Sequence, residues 1–245
     1  MTKRFRMVAG PNGSGKSTLT ARLVHDYSVN FYTRLNADEV FAEVRQTRMH
    51  LTPFPIDGIS LADYAKRTDY ADEEKARFST GEIAVESDCV RFRTEEAVNS
   101  YTVAMLVNFL QDECINRGVS FSRETVFSHP SKIAALEKAT ASGFRTYLYF
   151  VATDSPAINA ERVAERYAEG GHDVPPSKIA ARYVRSLANL PAAMPHVWRA
   201  FFFDNSGPEM RYLASYSKDT GFDVLVPEYD LPRWFREAQR RTRHE

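Results

Sequence analysis

The run Gly10-Pro11-Asn12-Gly13-Ser14-Gly15-Lys16-Ser17-Thr18 carries the most specific chemistry in this sequence. It fits Gly-x-x-x-x-Gly-Lys-Ser/Thr at every fixed position. Successive backbone N–H groups in such a turn converge on phosphate oxygens, and the helix that follows adds its positive end. Gly13 and Gly15 open backbone conformations closed to other residues. Lys16 is placed to reach the β- and γ-phosphates of ATP, and Ser17 to offer a hydroxyl to Mg²⁺. The bland alternative is a glycine turn with a surface lysine, but the run lies between a strand pattern and a helix pattern, which weighs against coincidence.

A phosphate loop specifies a nucleotide and leaves the reaction open. The guanine-reading Asn-Lys-x-Asp of GTPases does not occur, nor does the Leu-Ser-Gly-Gly-Gln of ABC-type ATPases. No apolar run ends in Asp-Glu, as a hydrolytic magnesium strand would. A small phosphotransferase is the reaction class that remains. Such an enzyme needs a base beside the γ-phosphate to accept the proton of an acceptor hydroxyl. Asp38, in Asn36-Ala37-Asp38 at the end of the second strand pattern, is the candidate; capping the next helix is its plainer role. Glu124 closes another strand pattern, where it either orients the acceptor or holds Mg²⁺ through water.

Charge building on a transferred phosphoryl group calls for cations. Arg162 and Arg166 are four apart and share a helix face. On the next helix Ile179, Tyr183, Leu187 and Leu190 mark a buried stripe, and Arg182, Arg185 and Asn189 lie off it. Two arginine-bearing helices joined across Gly170-Gly171 predict a lid over ATP; solvated surface charge is the alternative. His172 lies in that loop and is a weaker candidate for phosphate. Asn205, in Asp204-Asn205-Ser206-Gly207 after a strand pattern, borders the expected adenine pocket, although those residue types also suit an ordinary turn.

The elements that must position these residues alternate. Strand patterns cover Phe5–Ala9, Asn30–Leu35, Val119–Val126, Thr146–Ala152, Ala200–Phe203 and Phe222–Val226. Helix patterns follow the phosphate loop and cover Asp38–Thr47, Glu95–Arg117, Pro130–Ser142, Pro156 to about Ala168, Lys178–Asn189 with Ser177 as cap, and Pro232–Arg243. This order predicts an α/β P-loop fold of the nucleotide-kinase type, with a mainly parallel sheet between helices. Ligands then bind beyond the carboxyl ends of the strands, where the candidate residues sit. Residues 51–94 read as an inserted segment of short helices and loops, shaping an acceptor pocket or serving as a partner surface. The whole chain is expected to form one domain around that insertion.

Composition narrows the classes further. The 245 residues hold 32 Lys+Arg against 32 Asp+Glu, a neutral balance that makes nucleic acid an unexpected partner. No apolar run approaches the roughly 20 residues of a membrane span, and the start is too short in apolar residues for a secretory signal. The expected location is the cytoplasm. Cys89 and Cys114 are too few for a four-thiolate metal site.

Taken in order, Ala9–Thr18, Asn36-Ala37-Asp38, Arg123-Glu124-Thr125, Arg162 with Arg166, Gly170–Pro175 and Asp204–Gly207 resemble the zeta-toxin family, in its short bacterial branch labelled predicted ABC-type ATPases. The resemblance runs from Arg4 to about Gly207. It implies a P-loop kinase that uses ATP on the sugar 3′-hydroxyl of UDP-N-acetylglucosamine, with a small antitoxin as partner. It implies Lys16 and Ser17 on phosphate and Mg²⁺, Asp38 as base, Glu124 at the substrate, and Arg166 and Arg182 in the lid. The family's substrate strand carries Glu-x-Thr-x-Arg, whereas Glu124-Thr125-Val126-Phe127-Ser128 keeps only the glutamate. The acceptor is therefore left as a small nucleotide-type molecule. A nucleotide-gated interaction protein and a polynucleotide-end kinase are the rival expectations. The tail Pro232–Arg243 reads as a docked helix with a basic outer face.

Overall fold

The computed structural model describes residues 2–46, 49–50, 63–64, 66, 83–86, 89–92, 99–169 and 174–242. In chain order the elements are β1 (Arg4–Ala9), α1 (Lys16–Tyr27), β2 (Thr33–Leu35), α2 (Ala37–Gln46), β3 (Met49–His50), β4 (Ile83–Glu86), β5 (Cys89–Phe92) and α3 (Ser100–Arg117). There follow β6 (Phe121–Thr125), α4 (Ser131–Ala141), β7 (Arg145–Ala152), α5 (Pro156–Ala168), α6 (Pro176–Ala188), the short α7 (Leu190–Ala193), β8 (Arg199–Asp204), β9 (Arg211–Ser217), β10 (Gly221–Val224) and α8 (Arg233–Thr242). The chain divides into two compact units, Met1–Phe31 with Ser122–Glu245, and Tyr32–Phe121.

The first unit is built on a twisted sheet in the order β10-β9-β8-β7-β1-β6. β1, β7 and β8 are parallel; β9 and β10 close the edge antiparallel. β7 reads Arg-Thr-Tyr-Leu-Tyr-Phe-Val-Ala and is buried from its second residue onward, as a strand covered on both faces must be. One face packs Val8, Tyr149 and Val151 against Leu19 and Leu23 of α1. The other carries Phe150, Phe202 and Phe222 under Trp234 and Phe235 of α8. The tail is therefore a docked helix, its aromatic face in the core. This is the expected P-loop architecture, mainly parallel with helices on both faces.

Boundaries differ where single residues override the strand pattern. Tyr32 and Phe127 hold left-handed backbone, with φ of 55° and 64°. A strand cannot run through that conformation, so β2 begins at Thr33 and β6 stops at Thr125. Ser177 does not cap α6: Pro176 occupies the first turn and Ser177 lies inside the helix. β9 has no counterpart in the sequence reading. Its Arg-Tyr-Leu-Ala-Ser-Tyr-Ser carries too few apolar residues to mark a strand, yet it pairs with β8 along six positions.

In the second unit, β3, β5 and β4 form a small antiparallel sheet. Where residues 51–94 read as short helices and loops, Ile83–Glu86 and Cys89–Phe92 are strands, and most of the rest lies outside the described residues. Ile83-Ala84-Val85-Glu86 and Cys89-Val90-Arg91-Phe92 carry β-branched and aromatic side chains two residues apart, a hairpin spacing. α3 starts at Ser100, where Asn99 Oδ1 accepts from the backbone of Tyr101 and Thr102 at 3.0 and 2.9 Å. Val103, Met105, Leu106, Val107 and Phe109 are all buried, so this helix is enclosed on several sides rather than along one stripe. Tyr64 packs edge-on to Phe109 and donates to Asp112.

Cys114 of α3 is fully buried, and that burial, with the Glu113 charge beside it, pushes its thiol pKa up to about 12 from 9.0. The folded chain keeps it as neutral thiol. Stability from this group is therefore complete below pH 9 and is lost as pH climbs toward 12, because the unfolded thiol ionises first. In a Cys89→Ser variant, Ellman's reagent at pH 8 is expected to leave the native protein unlabelled and to label it at once in denaturant. Fast labelling of the native variant would contradict this placement.

Candidate functional site

β1 delivers the chain into the phosphate loop at Gly10, whose N–H donates to Thr125 O of β6 at 3.3 Å. The loop turns back on itself through Ser14 N to Pro11 O at 3.3 Å, and α1 begins at Lys16. Gly13 and Gly15 have φ of 73° and 94°. A Cβ at Gly13 would meet Asn159 O at 2.4 Å, and one at Gly15 would meet Asn205 Nδ2 at 2.4 Å. Glycine is thus required twice over, by the backbone and by the neighbours.

Three elements clamp this loop. From α5, the fully buried Asn159 donates to Asn12 O while accepting from Thr153 Oγ1. From the β8 end, Asn205 Nδ2 donates to Ser14 O at 3.0 Å, and its own N–H donates to Ala152 O at 2.8 Å. From α6, Arg182 donates to Asn12 Oδ1 at 3.3 Å. Arg162 of α5 completes the set by donating to Asn205 O at 2.7 Å. The next residue after Arg182, Tyr183, donates to Thr153 O at 2.7 Å, and burial pushes its phenol pKa up to about 12.

At the start of α1, Lys16 Nζ donates to Pro11 O at 3.0 Å, arching its ammonium over the turn. Ser17 Oγ donates to Glu124 Oε1 at 3.3 Å, so the candidate metal hydroxyl and the β6 carboxylate already touch. Ser14 Oγ is buried with no hydrogen-bond partner among the described residues. A glycine turn with its lysine, a hydroxyl–carboxylate pair and an unanswered hydroxyl fits a polyphosphate with a hard cation.

The structure thus brings Gly10–Ser17, Glu124, Arg162, Arg182 and Asn205 together within the first unit. Arg166 and Thr18 are exposed, and no hydrogen bond between Arg166 and the loop occurs among the described residues. Gly170, Gly171 and His172 lie outside the described residues. In the second unit, Asp38 is an exposed first-turn residue of α2, and Asn36 Oδ1 accepts from its N–H at 3.0 Å. Asn36 therefore does the capping, and the Asp38 carboxylate is not the cap. Asn159 went unnoticed in the sequence. Its only signal is its place four residues before Val163 on the buried face of α5.

A family model described as an AAA domain, AAA_33, matches residues 6–187. No curated protein matches the chain. Among solved structures it is similar to AvrRxo1-ORF1:-ORF2 with ATP, at TM-score 0.57 and 13% identity over 98% of this chain and 64% of that one. It is also similar to the PezAT chromosomal toxin–antitoxin system of Streptococcus pneumoniae, at TM-score 0.54 and 10% identity over 99% and 87%. The chain thus spans 64% of the length of the AvrRxo1 chain it matches. These likenesses show a shared fold, and the family match places the chain among the AAA_33 AAA domains.

Removing the Asn205 amide leaves Ser14 O without its donor. Asn205→Ala is expected to cost about 1–2 kcal/mol of unfolding free energy in a urea titration. An unchanged titration would show that this stitch contributes nothing.

Proposed function

We propose that this chain, which belongs to the AAA_33 family of AAA domains, is an ATP- and Mg²⁺-dependent kinase of the zeta-toxin type. Its acceptor is a hydroxyl of a nucleotide-sugar or related nucleotide, UDP-N-acetylglucosamine-like in class. The observation that carries this reading is the clamped phosphate loop with Ser17 Oγ on Glu124. A hydroxyl and a carboxylate at the mouth of the loop support a metal-assisted transfer to a second substrate.

Lys16 and the loop amides grip the β- and γ-phosphates. Ser17 and Glu124 would hold magnesium, which would supply charge neutralisation to the phosphates. The acceptor oxygen attacks the γ-phosphorus, Asp38 takes its proton, and the bond to the β-phosphate breaks to release ADP. Arg162, Arg166 and Arg182 supply cations toward the transferred group, and Asn205 lies on the adenine side. Glu124 has orientation of the acceptor as its other role; its contact with Ser17 favours the metal. One similar structure is of a chromosomal toxin–antitoxin system and another pairs AvrRxo1-ORF1 with ORF2, which supports a protein antitoxin as partner. Among the described residues no helix is long and apolar enough to cross a membrane, in keeping with a cytoplasmic enzyme.

The test is transfer of label from γ-labelled ATP to a panel of nucleotide-sugars and dinucleotides, followed by identification of the product. Wild type is expected to label an acceptor. Asp38→Asn is expected to bind ATP unchanged and to transfer about 10²–10⁴-fold more slowly. Undiminished transfer by Asp38→Asn would remove the base assignment, and no labelled acceptor in any arm would contradict the kinase reading.

A further inference from the structure

A trans peptide points its C=O and the N–H that follows in opposite directions. A group that grips a carbonyl of the phosphate loop therefore also sets where the next amide points. Two asparagine side chains do this. Asn159 Nδ2 donates to Asn12 O, and Asn205 Nδ2 donates to Ser14 O at 3.0 Å. The residues that follow are Gly13 and Gly15, both left-handed, with φ of 73° and 94°, while Ser14 between them is not left-handed. Handedness that alternates in this way is the backbone form whose N–H groups converge on an anion.

Asn159 is fully buried on α5, and its side-chain bonds leave its own helix. Only an amide nitrogen can face a carbonyl oxygen, so Nδ2 lies toward Asn12 and Oδ1 toward Thr153. The fully buried Thr153 donates to that Oδ1, and its Oγ1 also reaches Ser155 O at 3.0 Å. Tyr183 of α6 donates to Thr153 O at 2.7 Å, and its neighbour Arg182 donates to Asn12 Oδ1 at 3.3 Å. Asn12 is thus held by its backbone oxygen from α5 and by its side-chain oxygen from α6. A leucine at position 159 would favour the helix more and would bury no polar group. What the asparagine adds is its grip on the loop.

We infer, on the nucleotide reading above, that Asn159 is a positioning residue for ATP: by gripping Asn12 O it turns the Gly13 N–H toward the bound phosphates. Without that grip the Asn12–Gly13 peptide is free to rotate, because glycine on one side of it permits most backbone angles. The donor is then no longer preset, and the loop must order itself at the moment of binding. A hydrogen bond to an anionic oxygen is about twice as strong as one between neutral groups, so a misdirected Gly13 N–H weakens nucleotide binding.

The dipeptide Asn-Gly occurs once in the chain, at Asn12-Gly13. Labelling asparagine with ¹³C at its carbonyl and glycine with ¹⁵N therefore isolates the Gly13 amide in a carbonyl-filtered NMR spectrum. In wild type its proton is expected to move downfield when ATP and Mg²⁺ are added. Asn159→Leu keeps the volume and removes the donor; it should leave that proton unmoved and weaken ATP binding at least about tenfold. Asn189→Leu removes the same kind of bond elsewhere in the unit, to Phe127 O at 2.9 Å, and should keep both the shift and the affinity. Where Asn159→Leu does not fold, Thr153→Val removes only the hydroxyl that orients the amide and is expected to weaken ATP binding in its place. No ATP binding by wild type would overturn this inference together with the nucleotide reading. ATP binding with the Gly13 proton unmoved, wild-type affinity in the folded variant, or an equal loss in Asn189→Leu would overturn this inference alone.

Discussion

The turn from Gly10 to Lys16 must hold left-handed backbone at Gly13 and Gly15 between a strand and a helix. Everything else in the first unit answers to that constraint. A backbone in left-handed conformation at Gly13 and Gly15 carries carbonyls that no helix or strand will satisfy. Asn12 O, Ser14 O and Pro11 O are answered by Asn159, Asn205 and Lys16 respectively. The turn is thus held by side chains that arrive from α5, from the end of β8 and from α1. The approach is so close that a methyl group at Gly13 would collide with the Asn159 backbone, and one at Gly15 with the Asn205 side chain.

These holders are themselves anchored. Asp204, buried at the end of β8, accepts from Ser206 Oγ at 2.7 Å, Trp234 Nε1 at 3.2 Å and Arg211 at 3.2 Å. Ser206 Oγ in turn accepts from Asp154 N, and Asp154 Oδ1 accepts from Arg233 N. The C-terminal helix α8 is therefore tied by hydrogen bonds to the loop that carries Asn205. Its aromatic face, Trp234 and Phe235, secures the same region through the core. A single buried carboxylate with three donors is well placed to keep the Asn205 loop in register with the phosphate loop.

The phosphate loop, the strand–helix alternation and the placement of Lys16, Ser17, Glu124, Arg162 and Arg182 were legible in the sequence. They rest on local rules: glycine spacing, helical periodicity and the carboxyl-end position of ligands in parallel sheets. What escaped depends on partners distant in sequence. Asn159 looks like any polar residue in a helix until the loop 147 residues away is seen against it. β9 is a strand because β8 offers it an edge, not because its residues demand one. Tyr32 and Phe127 take left-handed backbone that no sequence rule assigns to aromatic residues. Arg162 and Arg166 look equivalent by spacing, but among the described residues only Arg162 finds an acceptor, the carbonyl of Asn205.

Calorimetric titration of the purified chain with ATP in the presence of Mg²⁺ tests the proposed use of this loop most directly. The account predicts saturable binding of one nucleotide per chain, abolished in Lys16→Ala while the fold and melting temperature are kept. Binding of equal strength in Lys16→Ala, or none in wild type, would contradict it.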